Sequence, residues 1–281
     1  MNTLNEINWF PGHMKKALDS IKVRIKSADG VIEIGDSRAP ISSFPDYLDK
    51  LVGEKARFFL FSKADLADKR ALEKHLEEYR KRGIKALALN LTDKKEVKVL
   101  TNMLSQVKTK QEERYLKLGF PAPSKRFLVL GIPNVGKSTL INSLAMKKKA
   151  AVENKPGKTR AESLIRVSDK LFIIDAPGIL EPNYEDKNVI IKLALLGSVR
   201  NDILPLIPLT DYLLSYLKEH YPERLIDRYK VNLDKSAAEI FLEIAKNRNY
   251  LLKNELDEER ARKMVLTEFR SGQLGGISLD E

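Results

Sequence analysis

The chain of 281 residues has no cysteine, only three histidines and no long apolar run. Without cysteine it has no disulfide framework and no thiolate metal site, and three scattered histidines are too few for a histidine metal cluster. A membrane-spanning helix needs about 18 or more consecutive apolar residues, so no membrane span is expected. The first residues also lack the basic and apolar regions of a secretory signal peptide. We therefore expect a cytoplasmic protein.

Acidic residues are in the minority. The chain carries 50 lysines and arginines against 39 aspartates and glutamates, a formal net charge of +11. Such an excess is typical of proteins that bind a polyanion or an anionic membrane surface. An apolar anchor and a lipidation motif are both lacking, which favours the polyanion.

A phosphate-binding loop lies near the middle of the chain, at Gly131–Ser138, where the sequence matches G-x-x-x-x-G-K-[ST]. It follows an apolar strand and precedes a helix, as wrapping of phosphates by backbone amides at a helix N-terminus requires. Lys137 is expected to reach the β and γ phosphates, and the Ser138 hydroxyl to bind Mg²⁺. The nucleotide contacts predicted here are Asn134, Val135, Gly136, Lys137, Ser138 and Thr139.

Two downstream segments resemble nucleotide switches. Asp175-Ala-Pro-Gly178 matches D-x-x-G at the end of a predicted strand. We expect Asp175 to hold Mg²⁺, through water, and the Gly178 amide to sense the γ-phosphate. Thr159 lies between the two motifs and is a candidate first-switch Mg²⁺ ligand. The alternative for Thr159 is an ordinary loop threonine.

A candidate guanine reader follows an earlier apolar strand. A carboxylate at Asp65 can accept hydrogen bonds from the ring N–H and the exocyclic amine of guanine, which adenine does not offer. Lys63 can lay its stem along the base. Ser62 stands where such motifs have asparagine and is too short for both amide contacts, which predicts a lower affinity. The backbone of Asn90-Leu91, after the next strand, is expected to cover the base edge. The reader is Ser62, Lys63, Ala64 and Asp65.

The order of these motifs is reversed. In an ordinary GTPase the phosphate loop precedes the base reader, whereas here it follows, which indicates a circular permutation. Alternating strands and helices predict an α/β fold with a mostly parallel sheet covered on both faces. No strand is predicted beyond about Asn188, where amphipathic stretches predict a small all-α domain. We expect a circularly permuted GTPase domain over 1–185, with the basic N-terminal helix included, and a helical C-terminal domain over 186–281.

The catalytic group is not obvious. Ile179 follows Gly178, where Ras-like enzymes place the glutamine that orients the attacking water. His13, at the start of a basic helix, is the leading substitute, and a packing or RNA-contact role is the alternative. Asn134 is a candidate K⁺ ligand beside the phosphates, and an ordinary turn residue is the alternative.

These motifs together resemble the RbgA/YlqF family of circularly permuted GTPases. The resemblance covers nearly the whole chain, including Trp9–Met14, Asp36–Pro40, Gly131–Asn142, Pro156–Thr159, Asp175–Ile179 and Phe269–Gly275. It implies GTP hydrolysis at a low intrinsic rate, stimulated by the large (50S) ribosomal subunit late in its assembly. It also implies a helical domain that contacts ribosomal RNA. It further implies a catalytic role for His13, with Mg²⁺ as cofactor.

We accordingly expect a monomeric GTP/GDP-binding switch whose partner is the large ribosomal subunit with its RNA. The alternative is a non-catalytic GTP-gated RNA-binding module, with Ile179 marking lost hydrolysis. Because the second switch is followed within a few residues by the helical domain, we expect the two domains to be in contact. We expect the N-terminal segment that carries His13 to be free, so that the partner can position it. Candidate RNA-contacting residues are Lys15, Lys16, Lys22, Lys147, Lys148, Lys149, Lys155, Lys158, Arg160, Lys246, Arg248, Arg260, Arg262, Lys263 and Arg270.

Overall fold

The computed structural model describes residues 12–145, 164–181, 184, 186–199, 205–252 and 255–280. The first half contains α1 (Gly12–Ser27), β1 (Gly30–Asp36), α2 (Tyr47–Val52), β2 (Ala56–Ser62), α3 (Lys69–Lys81), β3 (Lys85–Leu89), α4 (Lys94–Ser105) and α5 (Lys110–Lys117). The second half contains β4 (Lys125–Leu130), α6 (Lys137–Leu144), β5 (Leu164–Ser168), β6 (Leu171–Asp175), α7 (Lys187–Leu195), α8 (Leu206–His220), α9 (Pro222–Tyr229), α10 (Ala237–Asn247), β7 (Leu251–Leu252), β8 (Glu255–Leu256) and α11 (Glu258–Arg270).

Six strands form one sheet in the order β3-β2-β1-β4-β6-β5, with only β5 antiparallel to its neighbour. Strand β4, which leads into the phosphate loop, pairs with β1 on one side and β6 on the other. If the chain began at β4, the phosphate loop would come first and the base reader near the end, without any change to the sheet. The mostly parallel sheet and the permuted order are confirmed.

Helices cover both faces of the sheet because its strands are apolar on both sides. On one face, Val31, Leu128 and Ile174 pack under α1 and α2. On the other, Ile32, Val129 and residues of α4 and α6 join a larger core that continues into the C-terminal helices. Among the described residues, no helix is long and apolar enough to cross a membrane.

The sequence prediction missed several short elements. The charged stretch 108–117 contains α5, a helix that was not predicted and that Thr109 caps by accepting the N–H of Glu112. Helices α2, α7 and α9 were not predicted. The prediction of no strand after Asn188 was wrong, because β7 and β8, which have two residues each, pair as antiparallel strands. Such short elements carry too few residues to show a hydrophobic period.

The C-terminal tail (residues 271–280) returns to the sheet. The N–H of Leu279 donates to the carbonyl of Arg38 at 2.6 Å, and the N–H of Ile277 donates to that of Leu66 at 3.3 Å. The predicted contact between the helical part and the nucleotide-binding part is therefore present, and the tail makes it with the loops after β1 and β2.

Candidate functional site

The phosphate loop is shaped by two glycines. A Cβ at Gly131 would lie 2.3 Å from the carbonyl oxygen of Ile34, so the close approach of β1 excludes any side chain there. Gly136 has φ of 98° and precedes the first residue of α6, a backbone conformation that L-residues rarely adopt. The loop therefore ends at a helix N-terminus, where backbone amides and the helix dipole favour phosphate.

Lys137 lies at the centre of this site. Its ammonium donates to the carbonyls of Gly131 (3.1 Å) and Ile132 (2.6 Å) within the loop. Burial lowers the pKa of Lys137 to about 8, and the nearby charge of Asp175 opposes that shift. A Cβ at Gly178 would lie 2.6 Å from the Lys137 ammonium nitrogen. The second switch glycine and the loop lysine thus meet where a γ-phosphate is expected to bind.

The donors predicted for Mg²⁺ suit that ion. Ser138 is exposed in the first turn of α6, and Asp175 ends β6 close enough to Lys137 to influence its titration. A hydroxyl and a carboxylate are hard oxygen ligands, and Mg²⁺ in nucleotide sites takes its remaining ligands from phosphate and water. No cluster of three or more His, Cys, Asp or Glu ligands occurs in the described part of the chain. Thr159 lies outside the described residues.

The base reader is held against the phosphate loop by Ser62 and Lys63. The Ser62 hydroxyl lies 2.6 Å from the carbonyl oxygen of Val135 and 2.9 Å from that of Gly35. The Lys63 ammonium donates to the carbonyl of Asn134 at 3.0 Å. Ser62 therefore contacts the phosphate loop. Its hydroxyl does not replace the contact that an asparagine amide at this position would make with the base. The rest of the reader, Ala64 and Asp65, begins a 3₁₀ turn, Ala64–Leu66, in which Asp65 is exposed.

Asn90 and Leu91 lie beside the phosphate loop. The Leu91 carbonyl accepts from the Ser143 hydroxyl at 2.8 Å, and its buried side chain approaches Gly136. Asn90 accepts the N–H of Thr92 at 3.0 Å, which closes a tight turn. The segment therefore packs against α6 and the loop. Its predicted role at the base edge stays a prediction.

A buried ion cluster at the end of β1 carried no predicted role in the sequence. Asp36 is fully buried, and its two carboxylate oxygens accept from Nε and Nη2 of the Arg38 guanidinium at 2.9 and 2.8 Å. It also accepts from the Lys63 ammonium at 2.8 Å. Burial alone would raise the pKa of Asp36, but the hydrogen bonds and charges of Arg38 and Lys63 lower it below its usual value. The available signal was the Asp-x-Arg motif at the same sheet edge as the reader.

Helix α1 runs along the second switch. The Leu180 N–H lies 3.4 Å from the Met14 sulfur, and the Arg24 guanidinium donates to the carbonyl of Asp175. The N-terminal helix is thus packed against the switch, which corrects the expectation of a free segment from residue 14 onward. His13 directly precedes Met14 in α1. The placement of the His13 imidazole lies outside the described part.

Asn134 faces the C-terminal helices. It has φ of 61°, and its side-chain amide donates to the carbonyl of Gly197, just after α7, at 2.6 Å. The phosphate loop is thereby joined to the helical part. This contact uses the amide nitrogen, which is only a hydrogen-bond donor, and does not involve the amide oxygen, which is the atom that would ligate K⁺.

Among the described residues, those predicted to contact RNA fall into two groups. Two of them support the fold: Arg262 is buried against Phe241 with Asp211 as its ion partner, and Arg270 donates to the carbonyls of Ala194 and Leu195. Residues 147–160 lie outside the described residues. The exposed members are Lys15, Lys16, Lys22, Lys246, Arg248, Arg260 and Lys263.

The same combination of fold and motifs occurs in known proteins. Residues 126–246 match the family described as 50S ribosome-binding GTPase, and residues 53–185 match the RsgA GTPase family. The chain is 36% identical to ribosome biogenesis GTPase A of Bacillus cereus, with 98% of this chain and 93% of that protein covered. It is 37% identical to that of Priestia megaterium, with 98% and 96% covered.

Solved structures show the same fold. GNP-bound YlqF from T. maritima matches with a TM-score of 0.61 and 26% identity, covering 94% of this chain and 97% of that one. The GDP-bound structure of TM YlqF matches with a TM-score of 0.62 and 28% identity, covering 92% and 97%. With relatives of this identity along nearly its full length, the chain is a GTPase that belongs to the ribosome biogenesis GTPase A family.

Proposed function

We propose that this GTPase is a switch in the late assembly of the large (50S) ribosomal subunit, acting in the cytoplasm. It binds ribosomal RNA, and the subunit stimulates its low intrinsic GTP hydrolysis. The relatives supply the process through their printed names, which include ribosome biogenesis GTPase A. The observation that carries the switch mechanism is the position of Gly178–Leu180 between the phosphate loop and α1.

The switch would act through three contacts. On the loop side, Gly178 lies against Lys137, and the Ile179 N–H lies 3.4 Å from the carbonyl of Gly131. On the helix side, Leu180 contacts Met14. A γ-phosphate that accepts a hydrogen bond from the Gly178 amide would therefore move the segment Gly178–Leu180 relative to α1. That movement would either order α1 or release it from the switch. Mg²⁺ held by Ser138 and Asp175 would neutralise the phosphates.

The exposed face of α1 suits RNA. Lys15, Lys16, Lys22 and Lys26 are all exposed on it. Phosphate contacts of this kind give affinity with little sequence readout, and they weaken as salt rises. Because these basic residues lie beside the Gly178 segment, RNA bound to them would respond to whether GTP or GDP occupies the site. The exposed lysines and arginines of the C-terminal helices would extend the same contact.

His13 is the proposed catalytic group, because the residue after Gly178 is an isoleucine that is buried and cannot orient water. Docking of the α1 face on the subunit would bring the imidazole to the attacking water. The family is one of GTPases, which argues against the alternative of a non-catalytic RNA-binding module.

We also propose K⁺ as a second cation beside the phosphates, ligated by the Asn134 amide oxygen. Turnover in KCl that matches turnover in NaCl would remove it.

The test is GTP turnover with and without purified large subunits, for the native chain, His13→Ala and Lys16→Ala. His13→Ala should lose the stimulated rate at saturating subunit while it still binds GTP. Lys16→Ala, the control on the same helix, should need more subunit for half-maximal stimulation but reach the native maximum. Stimulated turnover that survives in His13→Ala would remove the catalytic assignment. Lack of any stimulation of the native chain would remove the proposed function.

A further inference from the structure

The C-terminal tail lies directly against the turn that contains the base reader. The Ile277 N–H donates to the carbonyl of Leu66, the residue after Asp65, at 3.3 Å. A Cβ at Gly276 would lie 2.5 Å from the carbonyl oxygen of Ala67, and one at Gly272 would lie 2.6 Å from the Leu66 side chain. The tail thus touches the two residues that follow Asp65, with no space for a side chain at the contact.

The tail is itself anchored on the loop after β1. The Asp280 carboxylate accepts the N–H groups of Ile41 at 2.8 Å and Ser42 at 2.7 Å, and the Ser42 hydroxyl at 2.7 Å. It also pairs with the Lys192 ammonium of α7 at 2.9 Å. A carboxylate that is only 3% exposed and has four donors holds the end of the tail in one position.

Arg38 provides a second connection. One of its guanidinium nitrogens donates to the carbonyls of Phe269 (3.4 Å) and Arg270 (3.2 Å), at the end of α11. The rest of the guanidinium holds Asp36, and Asp36 in turn holds the Lys63 ammonium. The reader is therefore tied to the C-terminal helices on both sides, through Lys63 by the ion cluster and through Leu66–Ala67 by the tail.

We propose that the tail (residues 271–280) and Arg38 are positioning elements of the guanine site, which set its affinity and base selectivity. Binding groups must be held within about 0.5 Å of their working geometry. The reader turn is exposed on its outer side, so the rigidity of Asp65 and Lys63 comes from what packs behind them. The inference rests on the GTPase assignment and is independent of the ribosomal partner.

Two glycines of the chain provide a matched comparison. Gly276→Ala would place a methyl group against the Ala67 carbonyl, behind the reader. Gly30→Ala would place one 2.9 Å from the Ala56 carbonyl and 2.6 Å from the Phe127 ring, at the opposite end of the same sheet. Neither glycine has a left-handed backbone, so each change adds a local clash and no dihedral strain.

The experiment measures dissociation constants of the full chain for GDP and for inosine diphosphate, which lacks the exocyclic amine that Asp65 is expected to bind. Gly276→Ala should weaken GDP binding by roughly tenfold, the equivalent of one well-placed hydrogen bond to a charged group. It should also bring the ratio of the two constants closer to one. Gly30→Ala should keep the native ratio and bind GDP within about twofold, whatever its loss of thermal stability.

A native GDP affinity and ratio in Gly276→Ala would overturn the proposal, as would equal shifts in the two glycine variants. Arg38→Lys, which keeps the charge but loses the paired geometry, tests the other connection if Gly276→Ala does not fold. Its control is Arg262→Lys, a buried arginine of the C-terminal helices. Only the Arg38 variant should change the ratio of the two constants, and an unchanged ratio would contradict the role of Arg38.

Discussion

Two buried carboxylates of β1, Glu33 and Asp36, have opposite surroundings. Both oxygens of Asp36 are hydrogen-bonded, to Arg38 and to Lys63. Glu33 uses one oxygen to accept from Arg57 at 2.7 Å, whereas its other oxygen has no donor among the described residues. Arg57 is also shared with Asp49. Strand β1 therefore carries one fully compensated carboxylate at its end and one poorly compensated carboxylate in its middle.

The pKa values of the two carboxylates are shifted in opposite directions. Burial raises the pKa of Glu33 to about 7, although the charge of Arg57 opposes the shift. The pKa of Asp36 is lowered because Arg38 and Lys63 outweigh its burial. Ionised Asp36 supports the fold and the site, while ionised Glu33 costs stability. The comparison shows that partners, and not burial alone, decide what a buried charge does.

Removing the charge of Asp36 should have the largest effect. Asp36→Asn leaves Arg38 and Lys63 buried or half-buried without their counter-charge, which costs about 3–5 kcal/mol of unfolding free energy. Urea denaturation measures this loss, and GDP binding should weaken in the same variant. A stability within about 1 kcal/mol of the native chain would show that Asp36 is not the better compensated member of the pair.

Removing the charge of Glu33 should have the opposite sign and depend on pH. Below the ordinary glutamate pKa, Glu33 is protonated in both the folded and unfolded chains. As pH rises towards 7, Glu33 ionises first in the unfolded state. The free energy of unfolding of the protein with Glu33 therefore falls by up to about 3 kcal/mol. Glu33→Gln lacks this loss and should become more stable than the native chain between pH 5 and 7. Parallel stability curves across that range would contradict the raised pKa.

The anchor of the tail should have a smaller effect. Asp280→Asn weakens hydrogen bonds to the backbone of residues 41 and 42 and the ion pair with Lys192, with an expected cost of about 2 kcal/mol. Because the tail supports the reader, GDP affinity should fall together with stability. A cost in stability without any change in GDP affinity would separate the tail from the site.

The sequence predicts the nucleotide site better than its supports. The phosphate loop, D-x-x-G and the reader are local motifs, and parallel strands bring their ends to one edge, where Lys137 lies beside Gly178 and Lys63 beside Asn134. The structural contacts of Arg262 and Arg270 were not foreseen, because a basic residue on a helix shows no sign of the distant carbonyls and carboxylates that bind it. The contacts of Arg38 with Phe269 and of Asp280 with Ser42 join residues more than 200 positions apart and have no local signature.

The link between the guanine site and the C-terminal tail is tested most directly by amide hydrogen exchange of the native chain with and without saturating GDP. If the tail positions the guanine site, GDP slows exchange in residues 269–280 more than in α10, which has none of the contacts to the reader described above. Global stabilisation alone would slow exchange in both segments by the same factor. Equal protection of the two segments, or none in 269–280 while GDP is bound, would contradict the proposed link between the guanine site and the C-terminal tail.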